Sequence, residues 1–119
     1  DSGTPFSVLT KGTLIRRDFE KAFERCHLLV TPTSPTVAFR FGEKADNPVA
    51  MYQSDRLTVP ANLAGIPAIS VPCGVSQDGL PIGLQFMAPA LAEPVLFRAA
   101  AAYEAAAGWA SMRPPLEVK

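Results

Sequence analysis

The sequence predicts an α/β fold, and three stretches predict it. Residues 8–26 carry an amphipathic helical repeat, residues 51–89 hold two short β-branched runs either side of a polar turn, and residues 93–107 form an alanine-rich helical run. Helix, hairpin and helix in that order build layers, not a helical bundle or an all-β sandwich.

Over residues 8–26, Leu14, Ile15, Phe19, Ala22, Phe23 and Cys26 recur at spacings of three and four, while Arg16, Arg17, Glu20, Lys21 and Glu24 fill the other side. That is a helix of about four turns with one solvated face, whose ion pairs are each worth only a few tenths of a kcal/mol. His27 follows. It is either a general base or a structural imidazole favoured by the helix C-terminus, and neither Ser34 nor Cys73 lies near it in sequence. Leu28, Leu29 and Val30 read as a buried strand ending at Thr31 and Pro32. Next comes TPTSPT, residues 31–36, too rich in proline for helix or central strand. It is a loop leaving a strand end, whose hydroxyls either bind or make turns.

Residues 39–48 are a polar connection that Phe39 and Phe41 are expected to pin to the body. Residues 52–63 read as helix broken near Pro60, with Thr58 capping a new start. Asp55 and Arg56 lie in this segment, where a carboxylate is by itself a cap or a surface charge. Gly65 and Pro67 end the helix. The hairpin follows at once, residues 68–73 answered by residues 82–87 across a turn at 76–79. Alternation puts Ile69, Val71, Ile82, Leu84 and Phe86 on one packed face, and Ser70, Gly83, Gln85 and Met87 on a less crowded one. Ser70 and Gly83 leave room there for another backbone or a ligand. Gln85 is either a satisfied structural amide or a group offered to that ligand. In the last helix, residues 93–107, Glu93 and Pro94 suit the first turn and Gly108 the stop. Val95, Leu96, Ala99, Ala102, Tyr103 and Ala106 make its inner stripe, and residues 112–117 form an extended end.

Composition narrows the function classes. At 119 residues the chain is at most one domain, and eleven basic against eleven acidic side chains create no field for nucleic acid or an anionic membrane. Two distant cysteines, Cys26 and Cys73, and one histidine supply no zinc set, and no run reaches the roughly 20 apolar residues of a membrane span. A soluble, reduced, cytoplasmic protein is expected. The chain starts Asp1-Ser2-Gly3 and enters its helical pattern almost immediately, as a segment of a longer chain would.

Several short words carry a likeness: TPTSPTVA at 31–38, Met51-Tyr52, Ser54-Asp55, TVPANLAGIP at 58–67, AISVPCG at 68–74, GLPIGLQ at 79–85, and Glu93. In one unbroken order across residues 14–104 they resemble the C-terminal part of amidase-signature enzymes. MYQSD followed by TVPANLAGIP inclines the resemblance toward the branch that works with tRNA. It implies that residues 1–119 are the C-terminal portion of a single amidase domain, a layered α/β fold in which helices flank a mixed β-sheet.

For activity, the resemblance implies amide hydrolysis by a serine nucleophile, helped by a second serine in a cis peptide and by a lysine. In the tRNA-linked branch glutamine is split and its ammonia passes to a partner B subunit. That partner uses ATP and magnesium to amidate glutamyl-tRNA, or in some relatives aspartyl-tRNA, and a small C subunit braces the pair. The glycine- and serine-rich signature and the earlier lysine have no counterpart here. Ser34 and Ser70 lack a glycine-flanked context, and Lys11, Lys21, Lys44 and Lys119 lie on polar, exposed-looking stretches. No catalytic residue, metal ligand or cofactor contact is therefore assigned within this chain, which alone is expected to be silent.

One site residue carries across. Asp55 matches the aspartate expected to meet the α-amino group of bound glutamine, where an analogue lacking the ammonium would leave the carboxylate unpaired. The arginine for the substrate carboxylate lies upstream in the family, and neither Arg16 nor Arg17 replaces it. Tyr52, Thr58, Asn62 and Gln85 are expected near the site. Two other readings stand beside this one, a piece of a general amidase acting on small carboxamides and a non-catalytic α/β module serving a protein interface.

Overall fold

The structure is a computed structural model that describes residues 3–114, with the backbone alone described for residues 3–11. The side chain of Lys11, the end of the tail at residues 115–117 and Lys119 lie outside the described residues. Helix α1 (Gly3–Phe23) leads into strand β1 (Leu29–Pro32), and a long polar connection follows. Two short helices come next, α2 (Pro48–Ser54) and α3 (Val59–Ala64), then the hairpin of β2 (Ala68–Val75) and β3 (Pro81–Met87), and finally α4 (Glu93–Ala107). A short 3-10 turn at Trp109–Ser111 closes the described chain.

The α/β class is borne out. The strands run in the order β1-β3-β2, so the second arm of the hairpin is central and both its pairings are antiparallel. Val30, Phe86 and Ile69 form one row across the sheet, and Thr31, Gln85 and Ser70 form the next, on the opposite face. An irregularity between Pro72 and Gly74 shifts the register before the turn, at the proline that cannot donate to the ladder.

The helix interruption falls where the sequence puts it. Pro60 lies in the first turn of α3, where its missing N–H costs nothing, and Thr58 precedes the helix. Thr58 Oγ1, however, donates to the Asp55 carbonyl and caps no α3 N–H. Helix α3 ends on Gly65 at φ 68°, and α4 ends on Gly108 at φ 75°, left-handed positions a side chain would strain.

Val71, Phe86, Ala88, Leu96 and Ala100 form the core between sheet and α4, with Leu28, Ile69, Leu84, Ala92 and Tyr103 packed around them. Tyr103 meets the Phe86 ring edge-on, centroids 5.7 Å apart, a contact worth about 0.5–1.5 kcal/mol beyond its area. The predicted stripe of α4 needs a correction at its small residues: Ala100 is buried, whereas Ala102 and Ala106 are exposed. An alanine-rich helix offers little contrast between its faces, so the register over the sheet decides which methyls are covered.

Two further expectations are corrected. Strand β1 is not a buried strand, since Val30 stays 50% exposed at the sheet edge, beyond the cover of the core. Phe41 pins nothing: its side chain stands free in solvent, while Phe39 holds the connection through Lys44, whose ammonium lies 4.1 Å from the ring centroid. The radius of gyration is 17.1 Å and the extents are 56 × 40 × 20 Å, flatter than the roughly 13 Å radius of a self-contained domain this long. Among the described residues no helix is long and apolar enough to cross a membrane, and no group of three His, Cys, Asp or Glu could hold a metal.

Candidate functional site

Away from α4 the sheet carries its polar residues, and the loop after β1 folds across them. Thr33 N donates to the Gly83 carbonyl at 3.0 Å, and Thr33 Oγ1 lies 2.6 Å from Ser70 Oγ. The room left by Gly83 and Ser70 is thus filled by this chain's own loop. A Cβ on Gly83 would fall 2.7 Å from Ser70 Oγ and 2.8 Å from Thr33 Oγ1, closer than side-chain atoms tolerate. The glycine is required because two hydroxyls meet directly above it.

Beside that contact Gln85 is only 3% exposed, the one buried polar side chain among the described residues. Its Nε2 donates to Thr31 Oγ1 at 3.0 Å and to the Leu57 carbonyl at 2.9 Å. The less crowded face expected from the sequence is therefore closed at Gln85, because the turn between α2 and α3 comes down onto it. Met87, also expected on that face, is 4% exposed.

That turn carries Asp55. Its backbone N–H closes α2 on the Tyr52 and Gln53 carbonyls, and its own carbonyl accepts from Thr58 N at 3.0 Å, Val59 N at 2.9 Å and Thr58 Oγ1 at 3.2 Å. The main chain of Asp55 is fully engaged. Its side chain is exposed, and its carboxylate makes no ion pair among the described residues. Ser54, just before it, is held twice: Lys44 Nζ donates to Ser54 Oγ at 2.8 Å, and Ser34 Oγ donates to the Ser54 carbonyl at 3.4 Å.

Lys44 is the residue that sequence reasoning misplaced. It is half-buried and hydrogen-bonded, not on an exposed stretch, because the turns at 41–46 carry its amine back over α2. Nothing in the local pattern marks that return. The hydroxyls of TPTSPT were legible as candidates, and Thr31, Thr33 and Ser34 each do hold a neighbour. His27 is exposed between α1 and β1, Tyr52 and Asn62 are exposed, and Thr58 is half-buried. Cys26 and Cys73 are free thiols, and Cys26 Sγ donates to the Ala22 carbonyl.

Two hollows border these residues. An open concavity of about 680 Å³ is lined by the loop from Pro32 to Phe39, Ser70 and Gly83, and a smaller cleft of about 180 Å³ by Thr36, Lys44, Gln53, Ser54 and Arg56. Asp55 lines neither, although both its neighbours in sequence line the smaller one. Among the described residues these polar groups are fixed by their partners while the Asp55 side chain stays exposed, and the hydroxyl that meets an amine, Ser54 Oγ beside Lys44 Nζ, itself donates to the Ala50 carbonyl.

Residues 6–97 match the Amidase family. A curated relative, the A subunit of glutamyl-tRNA(Gln) amidotransferase from Trichodesmium erythraeum, is 55% identical over 104 residues, covering 87% of this chain and 21% of the relative. The protein of the same description from Moorella thermoacetica is 59% identical over 106 residues, covering 89% of this chain and 22% of its own length. Among solved structures, the A subunit of glutamyl-tRNA(Gln) amidotransferase from Thermotoga maritima superimposes with a TM-score of 0.86 at 36% identity, covering 98% of this chain and 26% of that one. The chain spans about a fifth of the length of the curated relatives it matches.

Proposed function

Because this chain belongs to the amidase family, we propose that it forms one wall of the glutamine pocket in the A subunit of an amidotransferase, with Asp55 receiving the substrate's α-ammonium. The observation that carries the reading is the Asp55 turn. Its main chain and its flanking residues are tied down by the Thr31–Ser34 loop, Lys44 and β3, while its carboxylate stays unpaired. An exposed carboxylate is solvated at no cost, and its anchored turn holds it ready to pair with an arriving α-ammonium. The naming of the curated relatives supports the tRNA-linked branch.

In this reading the serine nucleophile, its cis-serine partner and the lysine come from residues outside this chain, and Asp55 orients glutamine toward them. The wall helps by holding the substrate still, which removes entropy from the attack, and by rejecting neutral amides. The ammonia released passes to a B subunit that uses ATP with magnesium to amidate glutamyl-tRNA, a C subunit bracing the pair, in the cytoplasm. The isolated chain hydrolyses nothing.

Asp55→Ala in a full-length protein carrying this segment is the test. Turnover of glutamine should fall about 10- to 100-fold more than turnover of butyramide, the ratio expected when a charged hydrogen-bonded pair is removed. Equal losses on both would remove the substrate role. They would favour a second reading, a general amidase, which the likeness to 6-aminohexanoate cyclic dimer hydrolase also supports: TM-score 0.77 at 32% identity, covering 91% of this chain and 24% of that one.

A further inference from the structure

We propose that Gln85 is a positioning residue for this pocket, holding the Asp55 turn at a fixed height above the sheet. The inference rests on Asp55 receiving the ammonium, and it goes beyond that by naming what sets the carboxylate's place. Three features of Gln85 carry it.

Gln85 lies on the central strand, so its Cα is fixed by ladders on both sides, to Thr31 and to Ser70. Its amide is buried, and one nitrogen serves two acceptors on separate segments, a β1 hydroxyl and the Leu57 carbonyl. A primary amide has two donors on one atom, which is what two acceptors on either side of it require; a carboxylate has none and a hydroxyl has one. Leu57 is two residues from Asp55, inside the same hydrogen-bonded turn, whose Asp55 carbonyl takes up Thr58 and Val59. Lifting Leu57 off the sheet therefore lifts Asp55.

The other side-chain ties to this turn come from outside the central strand. Ser34 reaches the Ser54 carbonyl at 3.4 Å, and the Lys44 ammonium reaches a hydroxyl outside the sheet. Among the described residues, Gln85 is the side chain that joins the turn to the central strand. Loss of its donors would leave the Leu57 carbonyl and the Thr31 hydroxyl facing an apolar gap, which favours a displaced turn that recovers water.

The test uses the full-length protein with Gln85→Met, which keeps the volume and removes both donors. Expected are a rise of about tenfold in KM for glutamine, a rise in KM for butyramide several times smaller, and a kcat on glutamine within about threefold of the parent. Hydrogen exchange in the peptide spanning residues 55–59 should quicken at the same time. In an Asp55→Ala background, Gln85→Met should add less than about twofold to the glutamine KM, since the group it places is gone.

Equal KM increases on the two amides, or full multiplication of the two substitutions, would overturn the proposal. So would unchanged exchange at residues 55–59, whatever the kinetics. The two readings fail separately: Asp55→Ala alone affecting both amides alike removes the ammonium contact, whereas exchange in Gln85→Met reports on the turn itself. Gln85→Leu, which also lacks a donor, should reproduce the Met variant. Normal behaviour from it would also count against the donor argument.

Discussion

The two faces of the sheet are held in place by different physics. Toward α4, Val71, Phe86, Leu96 and Ala100 stack into a dry layer in which area removed from water does the stabilising and no single direction matters. On the other face the loop and the Asp55 turn are attached by point contacts: Thr33 to Ser70, Thr33 to Gly83, Gln85 to Thr31 and to Leu57. Burial is forgiving about geometry and hydrogen bonds are not. A charge that must be held in one place is better served by the second kind of attachment.

If that contrast is right, the dry face should give the largest losses of stability and the polar face the sharpest losses of geometry. Phe86→Ala in the full-length protein should lower unfolding free energy by about 3–5 kcal/mol in equilibrium denaturation, through lost transfer energy and the cavity left under Tyr103. A loss below about 1 kcal/mol would mean that α4 is held by something other than this core. Gly83→Ala comes next. Its methyl would enter the gap between Ser70 Oγ and Thr33 Oγ1, and about 1–3 kcal/mol is expected, partly restored by Ser70→Ala in the same chain. Failure of Ser70→Ala to restore anything would place the strain at Thr33, whose Oγ1 and Cβ lie 2.8 and 3.1 Å from the same methyl.

The same contrast explains what could be read from the residues in order. The α4 face was legible because alternation in β2 and β3, the first-turn Glu93 and Pro94 and the stop at Gly108 are local signals, each visible within a few positions. Asp55 was singled out by its words alone. Its anchoring was not: Gln85 meets Leu57 and Thr31, Thr33 meets Ser70, and Lys44 meets Ser54, contacts between segments whose spacing follows no period. Phe41 misled for the opposite reason. Its type predicts burial, but none of the described residues covers it. Likewise Ala102 and Ala106 could not be told from Ala100 by composition.

A smaller effect probes the polar face from outside the sheet. Lys44→Met removes the ammonium from Ser54 Oγ while keeping most of the stem against Phe39, and should cost about 0.5–1.5 kcal/mol. Because Gln85 still ties the turn to β3, the glutamine KM should move less in this variant than in Gln85→Met. A larger shift for Lys44→Met would transfer the main anchoring role from the strand to the connection.

The smallest effect belongs to the outer face of α1, where Arg16 Nε meets Glu20 Oε1 at 3.0 Å one helical turn apart. Its distance equals that of Gln85 to Thr31, so distance alone would rank the two contacts together. Exposure separates them: both partners on α1 are more than half open to water, which solvates either charge when its mate is lost. Glu20→Ala should therefore change stability by no more than about 0.5 kcal/mol, falling further as salt is raised, with no change in the preference for glutamine over butyramide. A substantial loss there would mean that α1 is covered in the full-length protein, and the slab would have a third packed surface besides the two faces of its sheet.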